Sequence, residues 1–332
     1  MDMKPLLEVS NLGKQFASGA GFFSPPQSVV RAVDSVSFSV ARGETFGIVG
    51  ESGCGKTTLG RMIMRLIDPT GGRIVFDGDD ITALNRKAMR PLRQKMQIIF
   101  QDPYSSLDPR MKVDAIITEP LTAVKKLTRR QRRDQAAALL AKVGLSEVDL
   151  HKYPHEFSGG QRQRISIARA LCVQPAMIVA DEPVSALDVS IQAQVLNLMK
   201  DLKDELNLSY IFISHDLSVV EYLCDRVAVM YFGGFVEISP TAGFNTAPRH
   251  PYTRALLASV PLPDPHVRSG QTPLSGDVPN PADPPGGCAF HPRCRYALDI
   301  CPKERPPLIE VAADHYVACW LNESRGFKED EN

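Results

Sequence analysis

Residues Gly50-Glu51-Ser52-Gly53-Cys54-Gly55-Lys56-Thr57 fit the pattern G-x-x-x-x-G-K-[ST], and their flanks narrow the fold further. Thr45-Phe46-Gly47-Ile48-Val49 reads as a buried strand running into the turn. Leu59, Met62, Ile63, Leu66 and Ile67 then recur at helical spacing. A strand, a glycine-rich loop and a helix in this order make a phosphate cradle. The glycines let backbone N–H groups turn inward, and the helix N-terminus adds favourable partial charge. In such a cradle Lys56 pairs with the β- and γ-phosphates of a nucleotide and the Thr57 hydroxyl serves Mg²⁺. Gly50 through Thr58 is therefore the candidate nucleotide-binding loop.

Strand and helix signals alternate beyond this loop. Gln97-Ile98-Ile99-Phe100, Met177-Ile178-Val179-Ala180 and Tyr210-Ile211-Phe212-Ile213 are apolar runs of strand length, and Ile191, Val195, Leu198, Leu202 and Leu206 carry a helical period. Residues from about 103 to 164 lack strand signals. Within them Arg129 to Val143 reads as an amphipathic helix stopped by Gly144, so a helical insertion is expected. Val227 to Tyr231, Gly233-Gly234 and Phe235 to Ile238 read as a closing hairpin. The alternation predicts an α/β fold with a mostly parallel sheet.

Ligands of open α/β sheets bind beyond the carboxyl ends of the strands. Three of the apolar runs end in polar groups. Asp181-Glu182 follows one: Asp181 is placed to hold Mg²⁺ through water, and Glu182 to polarise an attacking water. His215 follows another, where an imidazole reaches a γ-phosphate and orients the water. Gln101 follows the third, and its amide reaches the metal or the water. Taken singly, these are equally an acidic turn, a structural histidine and a polar loop residue. Ser158-Gly159-Gly160-Gln161 leads into a helix-like stretch ending near Leu171. A hydroxyl, two small residues and a helix N-terminus suit an anion, although the run alone is equally an N-capped helix.

The ordered set resembles the ATP-binding cassette (ABC) ATPases. The Gly50–Thr57 loop, Gln101, Ser158-Gly159-Gly160-Gln161, Asp181-Glu182, Ser185-Ala186-Leu187-Asp188 and His215 succeed one another as in that family, over roughly residues 6–240. The resemblance implies a P-loop NTPase cassette with a RecA-like core sheet, an antiparallel subdomain and a helical insertion. It implies ATP hydrolysis with Mg²⁺, with Glu182 as catalytic base and Lys56, Gln101 and His215 beside it. It also implies head-to-tail dimerisation, in which Ser158, Gly159, Gly160, Gln161 and Asp188 face the nucleotide of a second cassette. Phe16 is then the aromatic expected to stack on adenine, beside an insertion at residues 17–30. Two other classes are open: a soluble cassette acting on nucleic acid or ribosomes, and a P-loop phosphotransferase, which needs no Ser-Gly-Gly-Gln run.

Composition changes after about residue 240. Twelve prolines lie between Pro261 and Pro307, which disfavours long helices and central strands. Residues 241–332 are therefore expected to form a loop-rich extension that needs another source of stability. His250-Pro251-Tyr252-Thr253-Arg254-Ala255-Leu256-Leu257 and the cysteine segment after it resemble the extension of oligopeptide/dipeptide importer ATPases, a group that includes nickel importers. The resemblance implies a homologous second ATPase subunit, two transmembrane permease subunits and, indirectly, an extracytoplasmic solute-binding protein. Cys288, Cys294, Cys301 and Cys319 are spaced C-x5-C-x6-C-x17-C. That spacing fits neither the usual structural zinc pairs nor the standard ferredoxin runs. Four thiolates still match a 4Fe-4S cluster, which this segment holds in some peptide-importer ATPases. Zinc is the second choice, with His291 or His315 as substitute ligands, and four free thiols are the remaining reading.

The chain has 332 residues with 38 Lys+Arg against 38 Asp+Glu. This balance argues against a nucleic-acid binder, and Arg129-Arg130-Gln131-Arg132-Arg133 reads as a solvated helix face. Residues 1–10 carry no signal-like run, and the longest nearly apolar stretch, Leu171 to Ala180, contains Gln174 and Pro175. It is too short for the ~20 residues a bilayer span needs. The expected location is peripheral, on the cytoplasmic face of the inner membrane, through partner subunits.

Overall fold

Apolar side chains alternate between two cores along each central strand. In Met177–Asp181, Ile178 and Ala180 join one buried cluster while Met177 and Val179 join another; in Ser209–Ile213, Tyr210 and Phe212 oppose Ile211 and Ile213 in the same way. A strand buried on both faces belongs to a sheet covered on both sides. The computed structural model describes residues 4–18, 28–122, 127–259, 279–280 and 282–322. Its strands are β1 Leu7–Ser18, β2 Ser28–Val40, β3 Thr45–Val49, β4 Gly71–Phe76, β5 Asp79–Asp80, β6 Met96–Ile99, β7 Met177–Asp181, β8 Ser209–Ile213, β9 Arg226–Tyr231, β10 Gly234–Pro240, β11 Ile309–Ala312 and β12 His315–Val317. The helices are α1 Lys56–Ile63, α2 Arg86–Lys95, α3 Pro103–Ser106, α4 Val113–Thr122, α5 Arg129–Lys142, α6 Gly159–Leu171, α7 Val189–Leu206, α8 Leu217–Leu223, α9 Thr241–Phe244 and α10 Pro251–Ala258.

The larger sheet has the order β11-β12-β10-β9-β3-β8-β7-β6. From β9 to β6 the pairings are parallel, and the β9/β10 hairpin turns the edge antiparallel. A smaller antiparallel sheet, β2-β1-β4-β5, packs with α1 in one core. The stretch between β6 and β7 is helical, as its lack of strand signals predicts. Thr128 and Gln131 form a capping box at the start of α5, with the Thr128 N–H donating to Gln131 Oε1 at 2.9 Å. Gly144, with φ of 72°, follows its C-cap and stops it as expected. Of the insertion expected at residues 17–30, residues 19–27 lie outside the described residues, as do residues 260–278 of the proline-rich stretch.

The extension departs from a purely loop-rich expectation. After Pro307 the prolines cease, and there the chain forms β11 and β12, adding two antiparallel strands to the β10 edge. Tyr252 and Phe290 also enter the core beside Tyr231, with ring centroids 4.6 Å and 5.3 Å from the Tyr231 ring. The seam between β10 and the extension is polar. Glu237, 1% exposed, accepts the backbone N–H of Arg249 at 2.8 Å and of His250 at 2.9 Å, and pairs with His315 Nε2 at 2.7 Å. His315 is thereby committed to Glu237.

This seam responds to pH in one direction. Burial pushes His250 from its ordinary 6.5 down to about 4, and its Nδ1 accepts the Tyr252 N–H at 3.0 Å, which requires the neutral ring. Burial alone would raise Glu237, but the His315 hydrogen bond and the two backbone donors outweigh it and hold its carboxyl below the ordinary value. Between pH 6.5 and 4 the unfolded chain protonates His250 and the folded chain does not, so stability falls as pH drops. Glu237 adds its loss below its ordinary range of about 4.5. Thermal melts should thus show a loss on the order of 1–3 kcal/mol between pH 6.5 and 4 attributable to His250. His250→Asn, whose amide oxygen can accept the same N–H, should flatten that slope.

Candidate nucleotide-binding and hydrolysis site

Four neighbouring parallel strands deliver the predicted site residues to one edge of the sheet. β3 leads into Gly50, β8 into Ser214-His215, β7 ends at Asp181 just before Glu182, and Gln101 follows β6 by two residues. The cleft beyond them has a volume of about 490 Å³, and Lys56, Thr57, Thr58, Gln101, Glu182 and His215 are among its lining residues. Ser52, Gly53 and Gly55 complete the loop side, and Ala32 of β2, which carries no sequence signal for this role, closes another wall.

The loop is pinned by close backbone approaches. Gly50 has φ of 152° and Gly55 has φ of 109°; a Cβ at either would lie 2.1 Å from a carbonyl oxygen, that of Met230 and that of Ala32 respectively. Only glycine permits both the approach and the conformation. Lys56 is 5% exposed and donates to the carbonyls of Gly50 at 2.8 Å and Glu51 at 3.0 Å. Cys54 is buried, with burial raising its thiol pKa despite Lys56 nearby.

Buried Asp181 lies behind the cleft-lining Thr57, whose Oγ1 donates to Asp181 Oδ1 at 3.0 Å. Burial raises the Asp181 carboxyl above its ordinary range, while the Thr57 hydrogen bond and the charges of Arg61 and Lys56 act the other way. Two oxygen donors beside a phosphate loop fit Mg²⁺, a hard cation. Glu182 has φ of 48° and donates its N–H to Ile213 O at 2.9 Å. This left-handed backbone is a sparsely populated one for glutamate. Glu182 Oε2 accepts from Gln101 Nε2 at 2.9 Å and stands 3.2 Å from His215 Nδ1. The three side chains that the sequence placed on separate strand ends thus meet at the Glu182 carboxylate, Gln101 through a hydrogen bond and His215 at ion-pair distance.

Other predicted residues lie elsewhere. Ser158, Gly159, Gly160, Gln161 and Asp188 do not line this cleft. Ser158 and Gln161 are exposed and form a capping box at α6, with the Ser158 N–H donating to Gln161 Oε1 at 3.0 Å. Gly160 has a packing reason for its size: a Cβ there would lie 2.3 Å from Ile191 Cγ2, so α6 abuts the start of α7 just past the exposed Asp188. Phe16 is 41% exposed on β1 beneath the Lys14 ammonium, 5.1 Å from its ring centre, and is not a cleft residue. Glu51 also departs from expectation. Its carboxylate engages Arg293 of the extension, at 2.8 and 3.1 Å, and not the cleft.

The four clustered cysteines line one small cavity of about 10 Å³, together with His291, Tyr296 and Trp320. Burial raises the Cys288 and Cys294 thiols and pushes Cys319 up to about 12, with the other cysteines adding to it. The His291 ring is held at the Cys288 carbonyl, 2.9 Å away, and His315 is not in this cavity. Among the described residues no three His, Cys, Asp or Glu are grouped so as to hold a metal ion. The thiols are convergent but not drawn to ligating geometry.

Known proteins supply the family. The ABC transporter family profile matches residues 33–185, and the profile for the oligopeptide/dipeptide transporter C-terminal region matches residues 236–301. The oligopeptide transport ATP-binding protein AppF of Bacillus subtilis is 50% identical over 96% of this chain and 98% of its own length. The dipeptide transport ATP-binding protein DppF of Escherichia coli is 50% identical over 96% of this chain and 94% of its own. The chain belongs to the ABC transporter family. A solved dimeric structure of the ATP-binding cassette MJ0796 in a post-hydrolysis state, bound to ADP and Pi, superposes on this ABC cassette with a TM-score of 0.64 at 27% identity, over 72% of this chain and 100% of that one. The chain is an ABC-type ATPase. No helix among the described residues is long and apolar enough to cross a membrane.

The α6–α7 contact yields a test of the cassette's packing. Gly160→Ala should destabilise the chain by about 1–2 kcal/mol through overpacking, read by denaturant melts. Ile191→Ala in the same chain should recover most of that loss.

Proposed function

We propose that this chain is the ATP-hydrolysing subunit of a peptide importer, with a cassette at about 1–240 and a transporter-type extension from 241 to the end. The observation that carries the hydrolytic reading is the convergence of Gln101 and His215 on the Glu182 carboxylate in the cleft that the phosphate loop also lines. The peptide cargo rests on relatives named for oligopeptide and dipeptide transport, matched along nearly all of this chain.

In this reading the backbone N–H groups of Ser52 to Thr58 cradle the phosphates, and Lys56 moves its ammonium from the Gly50 and Glu51 carbonyls to the β- and γ-phosphates. Thr57 and Asp181 would hold Mg²⁺, which when bound neutralises charge on the phosphate oxygens. Glu182 takes the proton of the attacking water, and Gln101 and His215 keep its carboxylate aimed. Phe16 stacks on adenine. Ser158, Gly159, Gly160 and Gln161, with Ser158 and Gln161 exposed at the start of α6, and the exposed Asp188 complete the nucleotide site of a second cassette, a homologous subunit. Closing and opening of that pair is passed to two transmembrane permease subunits, which receive solute from an extracytoplasmic binding protein. The chain then sits peripherally on the cytoplasmic face of the inner membrane.

Glu182→Gln tests the base assignment. Nucleotide binding should persist while steady-state ATP hydrolysis falls at least ~100-fold. Ordinary turnover in a dimer substituted in both copies would sink the assignment.

We further propose that Cys288, Cys294, Cys301 and Cys319 hold a 4Fe-4S cluster, since four desolvated thiols face one cavity in a segment with little core of its own. Anaerobically purified chain should show broad visible absorption from thiolate-bound iron, together with bound iron and sulfide. Cys301→Ser should remove both and lower the melting temperature. Stoichiometric zinc without iron would overturn the cluster in favour of the second choice.

A further inference from the structure

Every polar group of Glu51 is engaged, and two of the partners belong to the extension. Its N–H donates to the Tyr252 hydroxyl at 3.0 Å. Its carboxylate takes both terminal nitrogens of Arg293, at 2.8 and 3.1 Å. Its carbonyl accepts the Lys56 ammonium at 3.0 Å. The second residue of the phosphate loop is therefore a joint between Lys56 on one side and the extension on the other.

Both extension groups are firmly seated. Tyr252 is fully buried, its ring packed on Tyr231 and Phe290, and its own N–H is fixed by His250. The Arg293 side chain is 5% exposed and its guanidinium lies over the Tyr231 ring, 5.9 Å from its centre. A planar guanidinium bound through two nitrogens fixes the orientation of a carboxylate as well as its position. An exposed ion pair would contribute little, but this one is largely withdrawn from water. The Glu51 carboxylate is committed to Arg293, and Glu51 is not among the residues lining the cleft.

We propose that Tyr252 and Arg293 are positioning residues of the ATP site: they hold Glu51, and through the Glu51 carbonyl they set where the Lys56 ammonium rests and how the loop receives phosphate. The extension thereby tunes nucleotide affinity from behind the loop, without touching nucleotide. Arg293 sits one residue before Cys294, so any rearrangement of the cysteine segment is transmitted to the loop at this pair. The proposal rests on the phosphate loop being the ATP site.

The test uses the full chain, with affinity for a fluorescent ATP analogue measured by titration and kcat and KM for ATP measured in the assembled transporter. Tyr252→Phe removes only the acceptor of the Glu51 N–H and keeps the ring packing. Arg293→Met removes the ion pair and keeps much of the stem. Each should raise KM for ATP and weaken analogue binding roughly five- to twentyfold, with a smaller change in kcat. Arg293→Lys should recover part of the affinity. Glu51→Gln combined with Arg293→Met should be no worse than Arg293→Met alone, because both break one contact. Unchanged affinity in Tyr252→Phe and Arg293→Met, even with lowered melting temperatures, would overturn the proposal and leave these contacts as fasteners of the extension. The unsubstituted chain and Lys56→Ala run beside them: if the unsubstituted chain fails to bind the analogue, the reading of the site itself falls, a result distinct from failure of the tether.

Discussion

Parallel pairing of β3, β8, β7 and β6 is the constraint from which the site follows. Adjacent parallel strands begin and end together, so whatever follows their carboxyl ends is brought within a few strand spacings of about 4.8 Å. Gly50, His215, Asp181 with Glu182, and Gln101 occupy those four exits. The register of hydrogen bonds between β7 and β8, Asp181 opposite Ile213, is what brings Glu182 beside His215. Both faces of these strands must be dry for the pairing to hold, and the two cores that cover them supply that condition.

Much of this was readable from sequence because each signal is local. A strand of four or five apolar residues ending in a polar one announces both its burial and its exit, as at Met177–Asp181. The cradle at Gly50–Thr57 and the helical period after it are contiguous, so no long-range contact had to be guessed. What stayed hidden depends on contacts between distant segments. Nothing near Glu51 or Arg293 announces a pair separated by 242 positions. His315 reads as a spare zinc ligand until β12 places it against Glu237. Gly160 reads as a small residue suited to an anion, whereas its size is also demanded by Ile191. The left-handed backbone of Glu182, whose N–H bonds to Ile213 on the neighbouring strand, is invisible to periodicity.

The two anion-ready features of the chain differ in their surroundings. The loop at Gly50–Thr57 sits at the bottom of a cleft with its lysine and acidic partners in place. Ser158 at the helix end is exposed, its capping box is satisfied within itself, and its glycines pack against Leu187 and Ile191. One feature is walled and the other presented outward. In the proposed pairing of two cassettes, the outward feature would meet the walled one of the partner.

The strand β12 has a consequence for the sheet as a whole. β10 carries Ile238 and a buried carboxylate, and its outer rim of unpaired N–H and C=O groups would otherwise template pairing with another chain. By laying β12 along that rim, and ending with a short β11 whose Glu310 and Ala312 are exposed, the extension closes an adhesive border. The cassette's largest sheet is thus protected from self-association on that side by the same segment that reaches back to the phosphate loop.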